Sequence, residues 1–211
     1  MDIKRIDSYT DSRFSQRALD QHGAYTVDGQ SYEIEIPGPR SAVTRGKDAA
    51  VFGTLIEEFR FHAPHIVSFI DENGRRIKEY PPCEVFDIAL ENIQPSQFFV
   101  DEDKLKAVKT FIRGADDIVI QVTPYKGRYV SLDGHTRLYL AVKEGFAAVK
   151  AVISETDDSI WPFVREAERR RIFVPGDMTL LPHAQYELMW DRYCDEVFEA
   201  LEKQKTCETQ V

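Results

Sequence analysis

Five consecutive residues, Asp133-Gly134-His135-Thr136-Arg137, gather groups that together suit a phosphorylated ligand. A guanidinium forks onto phosphate oxygens. The threonine hydroxyl adds a polar contact, and the imidazole can donate to an oxygen or exchange a proton near neutral pH. The aspartate could hold a metal, orient the histidine or accept a proton from a substrate hydroxyl. A strand-like run, Tyr129–Leu132, precedes these residues, and Leu138, Ala141 and Val142 follow at helical spacing. A helix starting here leaves its first N–H groups without internal partners, and its dipole favours an anion. Gly134 permits close approach to the backbone. A plainer alternative stays open, in which Asp133 is an N-cap, Gly134 a turn residue and Arg137 a surface partner of Glu144.

The elements around the turn follow from periodicity. Two β-rich runs, Ile118–Thr123 and Tyr129–Leu132, are joined by a Pro/Gly turn. After the helix, Gly145 is a stop, and Val149–Ile153 reads as a last strand. Upstream, residues 84–93 read as a strand that enters "IQPSQFFVDEDKLKAVKTFIRG". There Asp101 or Asp103 caps a helix striped by Leu105, Val108, Phe111 and Ile112, with Gly114 as its stop. The first half carries hairpins around Asp28-Gly29 and Asn73-Gly74. Between them "IPGPR" breaks the first hairpin's strand, and residues 48–62 form a helix capped by Asp48 and ended by Pro64. Its apolar residues are Val51, Leu55, Ile56, Phe59 and Phe61. Two helical stretches, Ile160–Ile172 and Ala184–Gln204, close the chain, and the last residues, "KTCETQV", read as frayed. The class is α+β, with a mixed-sheet core, an N-terminal hairpin-helix-hairpin extension and C-terminal helices. Pro81-Pro82 marks the boundary, so the expected divisions are 1–83, 84–155 and 156–211.

Residues from about Val85 to Ile153, which hold the motif and its frame, resemble the ParB/sulfiredoxin-like superfamily. The resemblance rests on "LENIQPSQFFVDEDKLKAVKTFI" followed by "IVIQVTPYKGRYVSLDGHTRLYLAVKEGFAAVKAVI". It implies a ParB/sulfiredoxin-like fold and a nucleotide-phosphate site at Gly134, His135, Thr136 and Arg137. Partition proteins of the superfamily carry G-E-R-R at this turn and sulfiredoxins G-C-H-R. Here His135 takes the place of the reactive cysteine, and none of the three cysteines lies in the motif. The turn is locally most similar to the D-G-H-H-R of the free-serine kinase branch, from which Thr136 departs. That branch places its catalytic glutamate in a P-H-E-Q entry loop. This chain keeps Pro95 and Gln97 but has Ser96 and no glutamate, so Asp133 is the preferred substitute acid. The resemblance thus implies a small-molecule kinase that uses ATP or ADP and Mg. Asp133 and His135 would be catalytic, Gln97 and residues 134–137 would contact the nucleotide, and Asp133 would hold the metal. The alternative is a non-catalytic nucleotide-sensing or protein-interaction module.

Other features read more plainly. "SRFSQRALDQHGAY" concentrates Arg13, Gln16, Arg17, Gln21 and His22, and could supply a substrate pocket in which Arg13 or Arg17 binds a carboxylate. His62 and His65 are three apart, but Pro64 breaks the helical spacing a metal site would need. The run Arg165–Ile172 reads as a solvated helix face. Tyr186, Met189, Trp190, Tyr193, Val197 and Leu201 read as core or homodimer interface, and Cys194 as a buried apolar residue.

The whole-chain numbers set limits. A net charge of −9 argues against non-specific duplex binding and the nuclease reading, because that affinity comes from cations facing phosphates. Cys83, Cys194 and Cys207 form no C-x-x-C pair, which points to reduced thiols in a cytoplasm. The N-terminus lacks signal-peptide character, and no apolar run is long enough to span a bilayer.

Overall fold

A computed structural model describes residues 1–208, with side chains to residue 204. The first unit is a six-stranded sheet ordered β1 (Ile3–Arg5), β2 (Ala24–Val27), β3 (Gln30–Gly38), β4 (Ser41–Gly46), β5 (Ser68–Asp71) and β6 (Arg76–Glu79). Helix α1 (Gln16–Asp20) lies between β1 and β2, and α2 (Phe52–His62) between β4 and β5. Neighbouring strands are antiparallel except β4 and β5, which run parallel because α2 carries the chain across. Both expected hairpins form, turning at Asp28-Gly29 and Asn73-Gly74.

"IPGPR" does not end its strand. β3 runs through Pro37 to Gly38 and turns into β4, which the sequence reading lacked. The β3–β4 ladder is irregular between Glu35 and Gly38, where a proline without an N–H is tolerated. Asp48 does act as a cap, accepting from the Ala50 N–H at 2.9 Å, but it caps a 3-10 turn, and α2 proper begins at Phe52. Leu55, Ile56 and Phe59 bury against the sheet, whereas Phe61 is 76% exposed. Two residues beyond Phe59 is more than half a turn of helix, so Phe61 faces outward.

The second unit is a mixed sheet ordered β7 (Phe86–Ala89), β12 (Ala148–Ile153), β10 (Val119–Tyr125), β11 (Arg128–Ser131) and β8 (Ile93–Pro95). β10 is parallel to β12 and antiparallel to β11, and β11 is parallel to β8. The strand expected over 84–93 is therefore split by a 3-10 turn into the outer strands β7 and β8. Helix α3 (Glu102–Phe111) is capped by Asp101, whose Oδ1 accepts from the Asp103 N–H at 2.8 Å. It ends at extended Ile112. Gly114, the expected stop, is itself extended and starts a separate 3-10 turn. Helix α4 (His135–Lys143) ends as expected at Gly145, whose φ of 74° suits glycine.

The tail packs on this second unit. β13 (Thr179–Leu181) pairs with β9 (Phe99–Asp101). Phe163 of α5 (Trp161–Arg169), Leu181, Tyr186 and Trp190 share one apolar cluster with Ile93, Ile120 and Leu138. Past α6 (His183–Tyr186), a π-helical turn, Glu187–Asp191, leads into α7 (Arg192–Glu208). This turn leaves Met189 half exposed while Trp190 stays buried. The frayed end expected for "KTCETQV" is helical to Glu208, and its last three residues lie outside the described ones. Cys194 packs against the cluster, and burial pushes its thiol up to about 12. A separate cluster centred on Tyr25, Ile34, Leu55, Ile56 and Phe69 fills the first unit.

Candidate functional site

The turn at 133–137 opens into a cavity of about 430 Å³ whose opposite wall comes from the first unit. Gly134 has φ 82° and immediately precedes α4. A side chain could not be added there without cost. A Cβ would lie 2.7 Å from Ile120 Cγ2 and 3.0 Å from Arg137 Nη2, and the backbone is left-handed. No side chain caps α4, so the N–H groups of its first turn have no capping acceptor. Thr136 and Arg137 line the cavity beside them.

Arg137 is held from two sides. Its Nη1 donates to the Val119 carbonyl at 2.6 Å, and Nη2 lies 3.3 Å from Asp133 Oδ2. Glu144 is not its partner; the guanidinium turns inward and is only 21% exposed. The Asp133 side chain is 45% exposed at the cavity. Desolvation raises the Asp133 pKa, but the Arg137 guanidinium, the Gly134 N–H, His62 and His135 outweigh it. The carboxyl is thereby held below its ordinary range.

His135 is 7% exposed and already engaged. Its Nε2 accepts from the Ser96 backbone N–H at 3.2 Å and lies 3.0 Å from Ser131 Oγ. Ser96 Oγ, 3.1 Å away, donates to the Ser131 carbonyl at 2.7 Å. This network assigns the ring proton to Nδ1. Burial lowers the imidazole pKa to about 4, with Arg137 adding to the effect and Asp133 opposing it. His135 is thus a neutral ring that ties the entry loop to the turn. Ser96 is one of its partners. Gln97 lines the cavity, donating to the Phe99 carbonyl and, at 3.2 Å, to the Tyr186 hydroxyl.

Of the N-terminal candidates, Arg17, Gln21 and His22 reach the cavity, and Arg13 is occupied by Asp11. Arg17 is paired with Glu35 at 3.1 Å, and Gln21 bonds both the N–H and the carbonyl of Ile36. His22 lies 3.1 Å from the Tyr9 hydroxyl. Arg5, Lys104, Tyr186, His62 and His65 also line the cavity. Sequence reasoning did not place them there, since no local pattern links residues from β1, α3, α6 and the end of α2.

Among the described residues, one group has ligand atoms close enough to hold a cation: Asp101, Asp103 and His183, which do not include Asp133. His183 Nδ1 lies 2.7 Å from Asp101 Oδ2, and the hydrogen bond to that buried carboxylate raises the His183 pKa. The same carboxylate caps α3, so packing already accounts for it.

No family model and no curated protein matches the chain. Among solved structures it is similar to protein Atu1540 from Agrobacterium tumefaciens, at 20% identity and a TM-score of 0.30, over 44% of this chain and 50% of that one. The chain therefore matches about half the length of that protein, and a likeness this weak carries no argument about fold or function.

Proposed function

We propose that the chain is a ParB/sulfiredoxin-like nucleotide-binding protein that transfers a phosphoryl group from ATP or ADP to a small hydroxylated metabolite in the cytoplasm. The observation that carries this reading is the uncapped start of α4, which shares a cavity wall with Thr136, Arg137 and Asp133. Unpartnered N–H groups at a positive helix end bind phosphate oxygens, and Arg137 neutralises their charge. Phosphoryl transfer needs little beyond such positioning and charge stabilisation. Magnesium commonly takes one or two carboxylates together with substrate phosphates, and the half-exposed Asp133 carboxylate fits that pattern. When bound, the ion would neutralise charge on the phosphates. His135 positions the turn through Ser96 and Ser131.

The test is calorimetry with ATP, ADP and CTP, with and without magnesium. Saturable binding is expected, weakened at least tenfold in Thr136→Val and Arg137→Lys. Absence of binding by every nucleotide at millimolar concentration would overturn the reading. A second reading, nucleotide sensing without turnover, is favoured by one observation: Nε2, the acceptor nitrogen of the neutral His135 ring, is already taken by Ser96 and Ser131. Binding that persists in Asp133→Asn and His135→Ala, with no turnover by the wild type, would select it.

A further inference from the structure

Two imidazoles of the first unit line the cavity without a hydrogen-bond partner among the described residues, His62 and His65; burial and Arg137 hold His65 down to about 4, whereas Asp133 works against the lowering at His62. His62 is the last residue of α2, and this end of the helix is tied to the second unit. Gln121 Nε2 of β10 donates to the Phe61 carbonyl at 2.9 Å, and Gln121 Oε1 accepts from Ser154 Oγ at 2.9 Å. His62 therefore lines the same cavity as Asp133, Thr136 and Arg137. Among the described residues its ring nitrogens have no hydrogen-bond or ion-pair partner, and the ring meets Phe61 edge-on at 5.1 Å between centroids. His135 stands in contrast, with its acceptor nitrogen filled by Ser96 and Ser131.

We propose that His62 is the proton acceptor of the transfer reaction, reaching into the site from the N-terminal unit. This rests on the phosphotransfer reading of the turn. The acceptor hydroxyl oxygen forms its bond to the terminal phosphorus as the bond from phosphorus to the bridging oxygen breaks. The hydroxyl proton passes to a ring nitrogen of His62, and the bridging electron pair leaves with the shortened nucleotide. This division of labour leaves Asp133 free to face charge, because one carboxylate cannot both hold a cation and take the proton.

The surroundings agree. Desolvation and Arg5 of β1 lower the His62 pKa, while Asp133, Glu58 of α2 and Asp7 oppose them, and the net direction is downward. The ring is thus neutral, and able to accept, at neutral pH.

The experiment follows phosphoryl transfer from ATP and from ADP to L-serine and to water, with nucleotide affinity measured in parallel, for wild type, His62→Ala and His62→Gln. The expected result is a loss of kcat of about a hundredfold or more in both variants, with nucleotide Kd changed less than threefold. Wild-type kcat should rise with pH through a value below 6.5, and that step should vanish in both variants. Turnover within threefold of wild type in His62→Ala, or its recovery in His62→Gln, would overturn the inference while leaving the phosphotransfer reading intact. Nucleotide binding with no transfer to either acceptor by the wild type would overturn both. Absence of nucleotide binding would sink the phosphate reading of the turn, and the inference with it.

Discussion

At the scale of single residues, two imidazoles beside Arg137, the buried His135 and the half-buried His65, couple stability to pH. Burial lowers His135 to about 4, and burial together with Arg137 lowers His65 to about 4, against 6.5 for a free imidazole. Between these values the unfolded chain binds protons that the folded chain refuses. Their contribution is therefore complete above pH 6.5 and is lost progressively as pH falls towards 4. Urea midpoints should drop from pH 7.5 to 5, and His135→Gln, weaker at pH 7.5, should show a shallower slope. Equal slopes in the variant and the wild type would count against this account of His135. The same residues show what local reading can reach. The order of Asp133 to Arg137 put an acid, an imidazole, a hydroxyl and a guanidinium at one turn, but did not show that the His135 ring would bond Ser96 and Ser131.

At the scale of elements, polar side chains join what apolar packing brings near. Gln94 in β8 is 2% exposed, and its Nε2 donates to the Pro95 carbonyl at 2.9 Å and the Ile172 carbonyl at 2.8 Å. It pins the segment after α5 to the sheet edge beside the entry loop. Gln94→Ala leaves buried carbonyls without that donor, so a loss of about 1–3 kcal/mol is expected in urea unfolding. A change under about 0.5 kcal/mol would show that water or another donor replaces it. Hairpins with Asp-Gly and Asn-Gly turns and the helix ending at Gly145 were legible in sequence, because each is encoded within a few residues. β4 was not. Pro37 and Pro39 make its tight turn from β3 resemble a strand break, and its other neighbour, β5, is parallel and lies across α2. The short β9–β13 pair joins residues about 80 apart, and it too leaves no nearby mark.

At the scale of the whole molecule, two apolar clusters lie on either side of the cavity. One is centred on Tyr25, Ile34, Leu55 and Phe69, the other on Ile93, Ile120, Leu138 and Phe163. The second cluster draws on residues from Ile88 to Trp190, so the tail after residue 155 belongs to the same core as the central sheet. A fragment comprising residues 84–211 should therefore unfold cooperatively by circular dichroism. On the proposed nucleotide reading its affinity for ATP should fall in calorimetry, because the wall with Arg5, Arg17, His62 and His65 is gone. A fragment without a cooperative transition would mean that the first unit is needed for the second to fold.

The sequence by itself determined the α+β class, the principal turns and helices, and the chemistry concentrated at residues 133–137. Each depends on the order of neighbouring residues, through hydrophobic period, glycine conformation and capping. Only the tertiary structure decided which groups share the cavity. It turned His135 inward, kept Asp133 half open and brought His62, Lys104 and Arg5 to the same space from separate elements. Those placements depend on how two cores dock, through ties such as Gln121 to the Phe61 carbonyl and Thr110 to Asp20. Contacts between residues 60 to 90 positions apart follow no local period, so the pattern along the chain carries no trace of them.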